Sequence, residues 1–202
     1  SEMCIRDRLK NYIKPDDYLN SVKAFFVMQD TYKEFPDNDK FEGAFVNRDI
    51  YNMRARNYIL SRLENFENKA PITIENYTIE HIMPQNKNLS LEWQTNLGPE
   101  WQEVQKKYLH TIGNLTLTAY NSEMSDRPFL DKMDMLGGFK ESALRINKYV
   151  VLQNEWNETH IQERANELAK KAEVIWPYPA LTATELAPYQ AEEKTCLLYT
   201  SD

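Results

Sequence analysis

The sequence predicts an α+β domain that is predominantly helical, with one small two-stranded β element embedded among the helices. Two observations lead to this prediction. Apolar residues recur every three to four positions along much of the chain, as they do on the buried face of an amphipathic helix. Clusters of β-branched residues with partial alternation stand out at 71–84 and 112–118. With 202 residues, of which 42% are hydrophobic, the chain can bury an ordinary core.

Two amphipathic helices are predicted ahead of the β element, one from Asp17 to Asp30 and one from Ile50 to Phe66. The second also carries Arg54, Arg56 and Arg62, which we interpret as a solvated helix face, with phosphate contact as the alternative. Residues 15–70 therefore form a helical region that precedes the core. We expect residues 1–14 to be a linker or an artefactual segment that leads into the first helix.

The β element is predicted from two short segments. Between Pro71 and Pro84 the β-forming residues indicate a strand that ends near His81. A second strand is expected within 112–118, where Gly113 allows another backbone to approach closely. Residues 99–109, between the two strands, have a helical pattern. We assign 71–136 to the core of the domain.

Three further helices are predicted at 129–135, 139–152 and 161–175, and the last must end where Pro177 and Pro179 forbid continuation. We expect residues 137–180 to pack on the core as C-terminal helices. The composition after Pro179 is looser, so residues 181–202 are predicted to be a tail.

Composition limits the function classes. The net charge of −7 argues against a protein that binds nucleic acid over its whole surface, although it does not exclude a nuclease with a local basic face. The longest apolar stretches are far shorter than the roughly 20 residues of a membrane-spanning helix. We expect a cytoplasmic protein without a membrane partner. Cys4 and Cys196 belong to no Cys-x-x-Cys pair, so no structural zinc is expected.

Both ends of the chain resemble translated sequencing-adapter read-through, in the segments 3–8 and 196–202. This resemblance leads us to expect a metagenomic fragment of a longer protein, in which both cysteines are artefacts. A genuine disordered tail is the alternative.

The first candidate for chemistry is the pair Glu80-His81 at the end of the first predicted strand. Neighbouring side chains of a strand point to opposite sides, so one residue can hold a metal while the other faces substrate. An imidazole that titrates near neutral pH suits the deprotonation of water, and Mg²⁺ prefers carboxylate and amide oxygens. Taken alone, the pair is a weak signal, because a histidine near a strand end is more often structural.

The second segment, Ile112-Gly113-Asn114-Leu115-Thr116-Leu117, is followed by Asn121, Ser125, Phe129 and Lys132. Together with Glu80-His81-Ile82-Met83-Pro84, this pattern resembles the HNH, or ββα-metal, nucleases. More narrowly it resembles the C-terminal nuclease domain of the GmrSD-type modification-dependent restriction proteins. The resemblance covers roughly residues 15–180. It implies a two-stranded ββα-metal core within the helical domain.

The resemblance implies roles for three core residues. His81 would be the general base that activates water for attack on a phosphodiester, and Glu80 would ligate the metal. Asn114 would be the middle residue of the HNH signature, which holds the strands and the base in register through backbone hydrogen bonds. For Asn114 the alternative is an asparagine that tolerates a tight turn.

Three further residues are assigned through the same resemblance. Asn121 would complete the metal site or contact phosphate, or else simply cap a helix. Lys132 would contact phosphate, with a surface lysine as the alternative. His110 would contact phosphate or DNA or support the site as a partner, and a packed structural histidine is the alternative that we favour.

The implied function is that of a metal-dependent endonuclease that hydrolyses DNA phosphodiester bonds in a restriction or phage-defence system. We expect a divalent cofactor, Mg²⁺ first and Mn²⁺ second, and DNA as the partner, including base-modified phage DNA. The family also implies an N-terminal nucleotide-hydrolysing domain outside this sequence. Glu80 where HNH signatures commonly have Asp, and an Asn at the third signature position, leave the third metal ligand open. Two alternatives remain: a catalytically inactive nucleic-acid-binding HNH scaffold, and a helical interaction domain.

Overall fold

A computed structural model describes residues 12–30 and 34–190, so Cys4, Cys196 and the adapter-like ends lie outside the described residues. The described residues divide into two compact units, one of residues 39–176 and one that combines the described parts of 1–38 and 177–202. Helices dominate, and the described residues form one two-stranded antiparallel sheet. The predicted α+β, mainly helical class is therefore confirmed. No helix of the described residues has both the length and the apolar character needed to cross a bilayer.

The smaller unit, formed by the described parts of 1–38 and 177–202, includes helix α1, Tyr18–Val27, which buries Ser21, Ala24 and Phe25. Part of the predicted tail is ordered in the same unit, because residues 183–190 form a further helix. A capping box explains where that helix begins: Glu185 accepts hydrogen bonds from the backbone and hydroxyl of Thr182, and the Thr182 hydroxyl accepts from the Glu185 amide.

The other unit carries the candidate site. Its elements, in chain order, are α2 (Asn38–Asn47), α3 (Arg56–Glu64), β1 (Thr78–His81), α4 (Leu91–Leu97), α5 (Trp101–Tyr108), β2 (Leu115–Thr118), α6 (Asn121–Met124), α7 (Phe129–Asp134) and α8 (Glu158–Ile175). Helix α2 was not predicted, because Phe45 is the one residue that it fully buries. Helix α3 is shorter than predicted, since the amides of Ile50 and Tyr51 donate to the carbonyl of His110 instead of entering a helix.

The continuous helix predicted at 139–152 is wrong. The structure instead has three short 3-10 turns, Phe139–Glu141, Arg145–Asn147 and Val150–Leu152. The reason lies partly in Glu64, whose buried carboxylate accepts hydrogen bonds from the amides of Arg145 and Ile146 at 3.0 and 2.8 Å. These amides are therefore not available to an α-helix.

The sheet pairs β1 with β2 in antiparallel register, with Glu80 opposite Thr116 and His81 opposite Leu115. Residues directly opposite each other lie on the same face, and successive residues alternate between faces. His81 therefore shares the face of Leu115, and Glu80 shares the face of Thr116. This alternation directs the two candidate side chains to opposite sides of the strand.

Two apolar clusters pack around the sheet, and helix α8 contributes to both. The first includes Leu60, Leu115, Leu117, Ala165 and Leu168, and the second includes Ile82, Met83, Trp93, Phe129, Trp156 and Ile161. Helix α8 approaches the sheet closely at Gly113, where an added Cβ would lie 2.3 Å from the carbonyl oxygen of Ile161. The close approach expected at Gly113 is thus confirmed.

Candidate active site at the end of the first strand

His81 faces a group of aromatic rings. Its Nε2 lies 3.0 Å from Nδ1 of His110, and its ring makes a T-shaped contact with the ring of Tyr51, with centroids 4.6 Å apart. Tyr51 in turn stacks on His110, with an interplanar angle of 11°. Burial is the main cause that lowers the pKa of His81 to about 3, and the neighbouring imidazole of His110 and the ammonium of Lys132 act in the same direction. His81 is therefore a neutral imidazole at physiological pH.

An acidic residue lies near the imidazole pair. Partial burial acts to raise the pKa of Asp49, but hydrogen bonds from Asn52 and the nearby imidazoles His110 and His81 give a net lowering. Asp49 therefore remains a carboxylate, and its negative charge opposes the loss of basicity of His81. Neither Asp49 nor Tyr51 was identified from the sequence, because both lie about 30 residues before His81 in a loop without a motif.

Glu80 faces a different environment on the other side of the strand. Its carboxylate Oε1 accepts a hydrogen bond of 2.5 Å from the ammonium of Lys132, and both side chains are sealed from solvent at 5% and 0% exposure. Burial raises the pKa of Glu80 and lowers that of Lys132, while the attraction between the two groups opposes both shifts. A buried ion pair thus holds β1 against α7.

Lys132 is not the surface lysine considered as an alternative, because it is completely buried. Besides Glu80, its ammonium donates to the carbonyl oxygens of His81 and Ile82 at 3.0 and 3.2 Å. An ammonium has three N–H donors, and these three contacts use all of them. The geometry therefore favours a positioning role for Lys132 over the phosphate contact expected from the sequence.

Asn114 is fully buried and fixes the backbone just after His81. Its Oδ1 accepts from the amide of Met83 at 2.8 Å, and its Nδ2 donates to the carbonyls of Met83 and Leu109, both at 3.0 Å. Trp156 also donates to Oδ1. Because every contact is to the protein interior, Asn114 acts on the site through the backbone and not through contact with substrate.

Arg164 is a buried residue that the sequence analysis missed. Its guanidinium donates to the carbonyls of Ile112, Gly113 and Leu115 at 2.8–3.1 Å and to Ile146 at 3.2 Å. Burial lowers its pKa to about 10, so it stays charged. The signal was present in the sequence, because Arg164 lies three residues after Ile161 and one before Ala165, on the buried face of α8.

Several oxygen donors lie near the end of β1. Asn121 donates its Nδ2 to the carbonyl of Ile79 at 2.6 Å, and its Oδ1 has no hydrogen-bond partner among the described residues. Asp126, in the loop after α6, accepts from Asn86 at 2.8 Å, and its negative charge acts on both Glu80 and Lys132. Asp126 was also missed, although it follows Asn121 by five residues.

The carboxylate oxygens of Glu80 and Asp126 and the amide oxygen of Asn121 suit a hard cation, because such oxygens are the ligands that Mg²⁺ prefers. Within residues 12–30 and 34–190, however, no three His, Cys, Asp or Glu side chains lie together as a metal-binding group. Mg²⁺ commonly uses one or two carboxylates and keeps several waters, so this finding leaves a carboxylate-poor site open. Glu80, His81 and Asn121 each bind a different partner in the described residues, namely Lys132, His110 and the carbonyl of Ile79.

Comparison with known proteins identifies the family of this chain. Residues 35–171, more than half of the chain, match the family described as GmrSD restriction endonucleases, C-terminal domain. No curated protein matches the chain. The matched range contains β1, β2 and every candidate site residue. The chain therefore belongs to the family of GmrSD restriction endonuclease C-terminal domains, and its function is that of a nuclease related to restriction of DNA.

Proposed function

We propose that this chain is the cutting domain of a metal-dependent endonuclease that hydrolyses DNA phosphodiester bonds, with His81 as the general base. The observation that carries the proposal is the environment of His81 at the end of β1. The imidazole is neutral, its Nε2 is engaged by His110, and its Nδ1 has no hydrogen-bond partner among the described residues. A neutral imidazole with one unengaged nitrogen can take a proton from water.

The surrounding residues hold this base in place. Asn114 fixes the backbone after His81, and Lys132 binds the carbonyl of His81 itself. Arg164 clamps the segment that leads into β2, the strand paired with β1. Such a rigid supporting shell is what a positioned catalytic base requires, because a shift of about 1 Å can greatly reduce its effectiveness.

Glu80, Asn121 and Asp126 would hold a divalent cation, with Mg²⁺ preferred for an all-oxygen donor set. Oε1 of Glu80 is taken by Lys132, and Oε2 has no hydrogen bond to the described residues. A bound cation would neutralise phosphate charge and stabilise the leaving oxygen. His81 would move one proton, from the attacking water to its own ring nitrogen.

DNA would approach the site from the side of Tyr51. The guanidinium of Arg56 lies over the Tyr51 ring, 5.3 Å from its centroid, and donates to the Tyr51 carbonyl. Tyr51 stacks on His110, so an exposed cation lies one ring away from the imidazole pair. Such a cation suits a backbone phosphate. The overall charge of −7 favours local contacts of this kind over a broad basic surface.

Nicking of supercoiled plasmid by the full chain tests the proposal. We expect cleavage with Mg²⁺ or Mn²⁺ and none with EDTA. His81→Ala should reduce the rate at least about 10²-fold, since a general base contributes that much or more. His160→Ala, which removes a histidine outside the imidazole pair, should cleave like the parent.

The proposed substrate preference calls for a second DNA. Phage DNA that carries modified bases should be cut at least as well as the same sequence copied without modifications. If the folded parent cuts neither of these two phage DNAs nor the plasmid with either metal, the proposed function is wrong and the chain is a non-catalytic scaffold.

Calorimetric titration with Mn²⁺ tests the cation site without measuring cleavage. We expect weaker binding in Glu80→Gln and Asp126→Asn than in the parent, because each change removes a negative oxygen donor. Asp134→Asn is the matched control, since Asp134 pairs with Lys140 on the surface. Equal affinity in all four proteins would refute the assigned ligands.

A further inference from the structure

The hydrogen bond between His81 and His110 joins two imidazoles, which restricts where their protons lie. Nε2 of His81 and Nδ1 of His110 are 3.0 Å apart, and the rings meet at 72°. A neutral imidazole has one N–H donor and one acceptor nitrogen. Between two neutral rings, one nitrogen of the contact must therefore carry a proton and the other must not.

The two outer nitrogens of the pair reach solvent. His81 Nδ1 and His110 Nε2 make no hydrogen bond to the described residues. Neither belongs to the sealed polar atoms without a partner, which in the described residues are His160 Nδ1 and Arg164 Nε. His81 as a whole is 3% exposed, and Nδ1 is a place where water can meet this largely buried ring.

Two proton arrangements satisfy the contact, and they differ in whether His81 can act as a base. If His81 Nε2–H donates to His110 Nδ1, the lone pair of His81 lies on Nδ1 and faces solvent. If His110 Nδ1–H donates instead, the proton of His81 sits on Nδ1, and no lone pair is available to water. The state of His110 therefore determines the function of His81.

The ring of His110 is held firmly in the position that this contact requires. Its carbonyl accepts from the amides of Ile50 and Tyr51 at 2.9 and 3.3 Å. The Tyr51 ring stacks on it with centroids 5.1 Å apart and also makes a T-shaped contact with His81. The charged groups that act on His81 are the ammonium of Lys132 and the carboxylate of Asp49. Of these, Asp49 favours a positive charge on the imidazole pair after proton uptake.

We infer that His110 is a positioning residue for His81: its Nδ1 accepts the Nε2–H of His81 and keeps the base lone pair on Nδ1 of His81. The inference rests on the proposed function, because it names the partner of the proposed base. In the step, a water proton passes to His81 Nδ1 while the water oxygen bonds to phosphorus. The bond from phosphorus to the leaving oxygen breaks, and the leaving oxygen takes a proton from solvent. The resulting imidazolium keeps donating Nε2–H to His110.

Two substitutions in the full chain test whether His110 acts as a hydrogen-bond acceptor or only fills space against Tyr51. His110→Phe keeps an aromatic ring against Tyr51 but has no acceptor, whereas His110→Asn offers an amide oxygen near the place of Nδ1. We expect His110→Phe to lower kcat at least about 10²-fold with little change in KM, and His110→Asn to recover at least about tenfold of that loss. His160→Phe serves as the control. A folded His110→Phe with the parent kcat, or equal losses in the two variants, overturns the inference.

The protonation of His81 can also be measured without DNA, which separates this inference from the proposed function. In ¹⁵N spectra of histidine-labelled parent chain, we expect a protonated Nε2 and an unprotonated Nδ1 at His81. A proton on Nδ1 overturns the inference even if the chain cuts DNA. Conversely, if the spectra agree but neither the parent nor any variant cuts DNA, the positioning contact stands and the proposed function fails.

Discussion

Two neighbouring residues of β1 face opposite regions of the molecule, and the regions differ in how they treat charge. On the Glu80 side, a carboxylate and an ammonium are paired at 2.5 Å and sealed from solvent. On the His81 side, two imidazoles share one hydrogen bond, and each keeps one ring nitrogen in contact with solvent. The first region carries fixed charges in a closed pair, and the second carries neutral groups that can still exchange protons.

This difference indicates how one short strand can combine stability with chemistry. The buried pair anchors β1 to α7 and orients the backbone carbonyls of His81 and Ile82. The imidazole pair is held in position by that anchor, but it exchanges its protons with solvent and not with the buried ion pair. We therefore expect the loss of Lys132 to act mainly on folding, and substitutions on the His81 side to act mainly on cleavage.

The largest effect on stability is expected from Lys132→Met, which leaves the buried carboxylate of Glu80 without its partner. Removal of one member of a buried ion pair costs about 3–5 kcal/mol in the free energy of unfolding. Urea denaturation at pH 7 measures it. The matched control is Lys140→Met, because Lys140 pairs with Asp134 at the same 2.5 Å but on the surface, where the loss should stay below about 1 kcal/mol.

The double variant Glu80→Gln/Lys132→Met sharpens this test, since it removes both charges together. It should recover much of the stability lost in Lys132→Met. Equal costs for Lys132→Met and Lys140→Met would mean that the Glu80 side is not the sealed region described above.

A somewhat smaller loss, about 3 kcal/mol, is expected from Asn114→Ala. The substitution leaves the amide and carbonyl of Met83 without their partner in a buried place, and each such group costs about 1–3 kcal/mol. Asn57→Ala, an exposed asparagine in α3, should change the free energy of unfolding by no more than about 0.5 kcal/mol. The same urea titrations give both values. A loss for Asn114→Ala as small as that of the control would contradict the clamping role.

The smallest expected effect concerns acid. The pKa of His81 is about 3 in the folded chain, against 6.5 when unperturbed, so the unfolded chain binds the additional proton between these values. Stability is therefore fully present above pH 6.5 and is lost as the pH falls toward 3. When the pH falls from 6.5 to 5, the free energy of unfolding of His81→Asn should decrease by about 2 kcal/mol less than that of the parent. Urea titrations across this range measure the difference, and parallel curves for the two proteins would contradict the buried neutral imidazole.

The sequence predicted the regular elements best where a local pattern was clear. Helix α8, with apolar residues at helical spacing over several turns, and the short strand ending at His81 are examples. It failed at 139–152, because Glu64, about 80 residues earlier, takes the backbone amides that a helix would use. A contact of that kind leaves no local trace in composition or periodicity.

The residues of the candidate site also divide into those with a local sequence motif and those that only the folded chain brings together. Glu80, His81 and Asn114 were identified through a motif, whereas Asp49 and Tyr51 come from a loop that only the folded chain brings to His81. Lys132 was identified through its position in the motif but was assigned a phosphate contact. Its burial against Glu80 depends on how α7 packs, which no spacing in the sequence reveals.

The most direct test of the central claim compares cleavage and stability in one substitution. His81→Asn should have a free energy of unfolding at pH 7 close to that of the parent, yet nick plasmid with Mg²⁺ at least about 10²-fold more slowly in single-turnover reactions. His160→Asn, measured alongside, should nick at the parent rate. A folded His81→Asn chain that nicks as fast as the parent would contradict the account, because His81 would then not be the base.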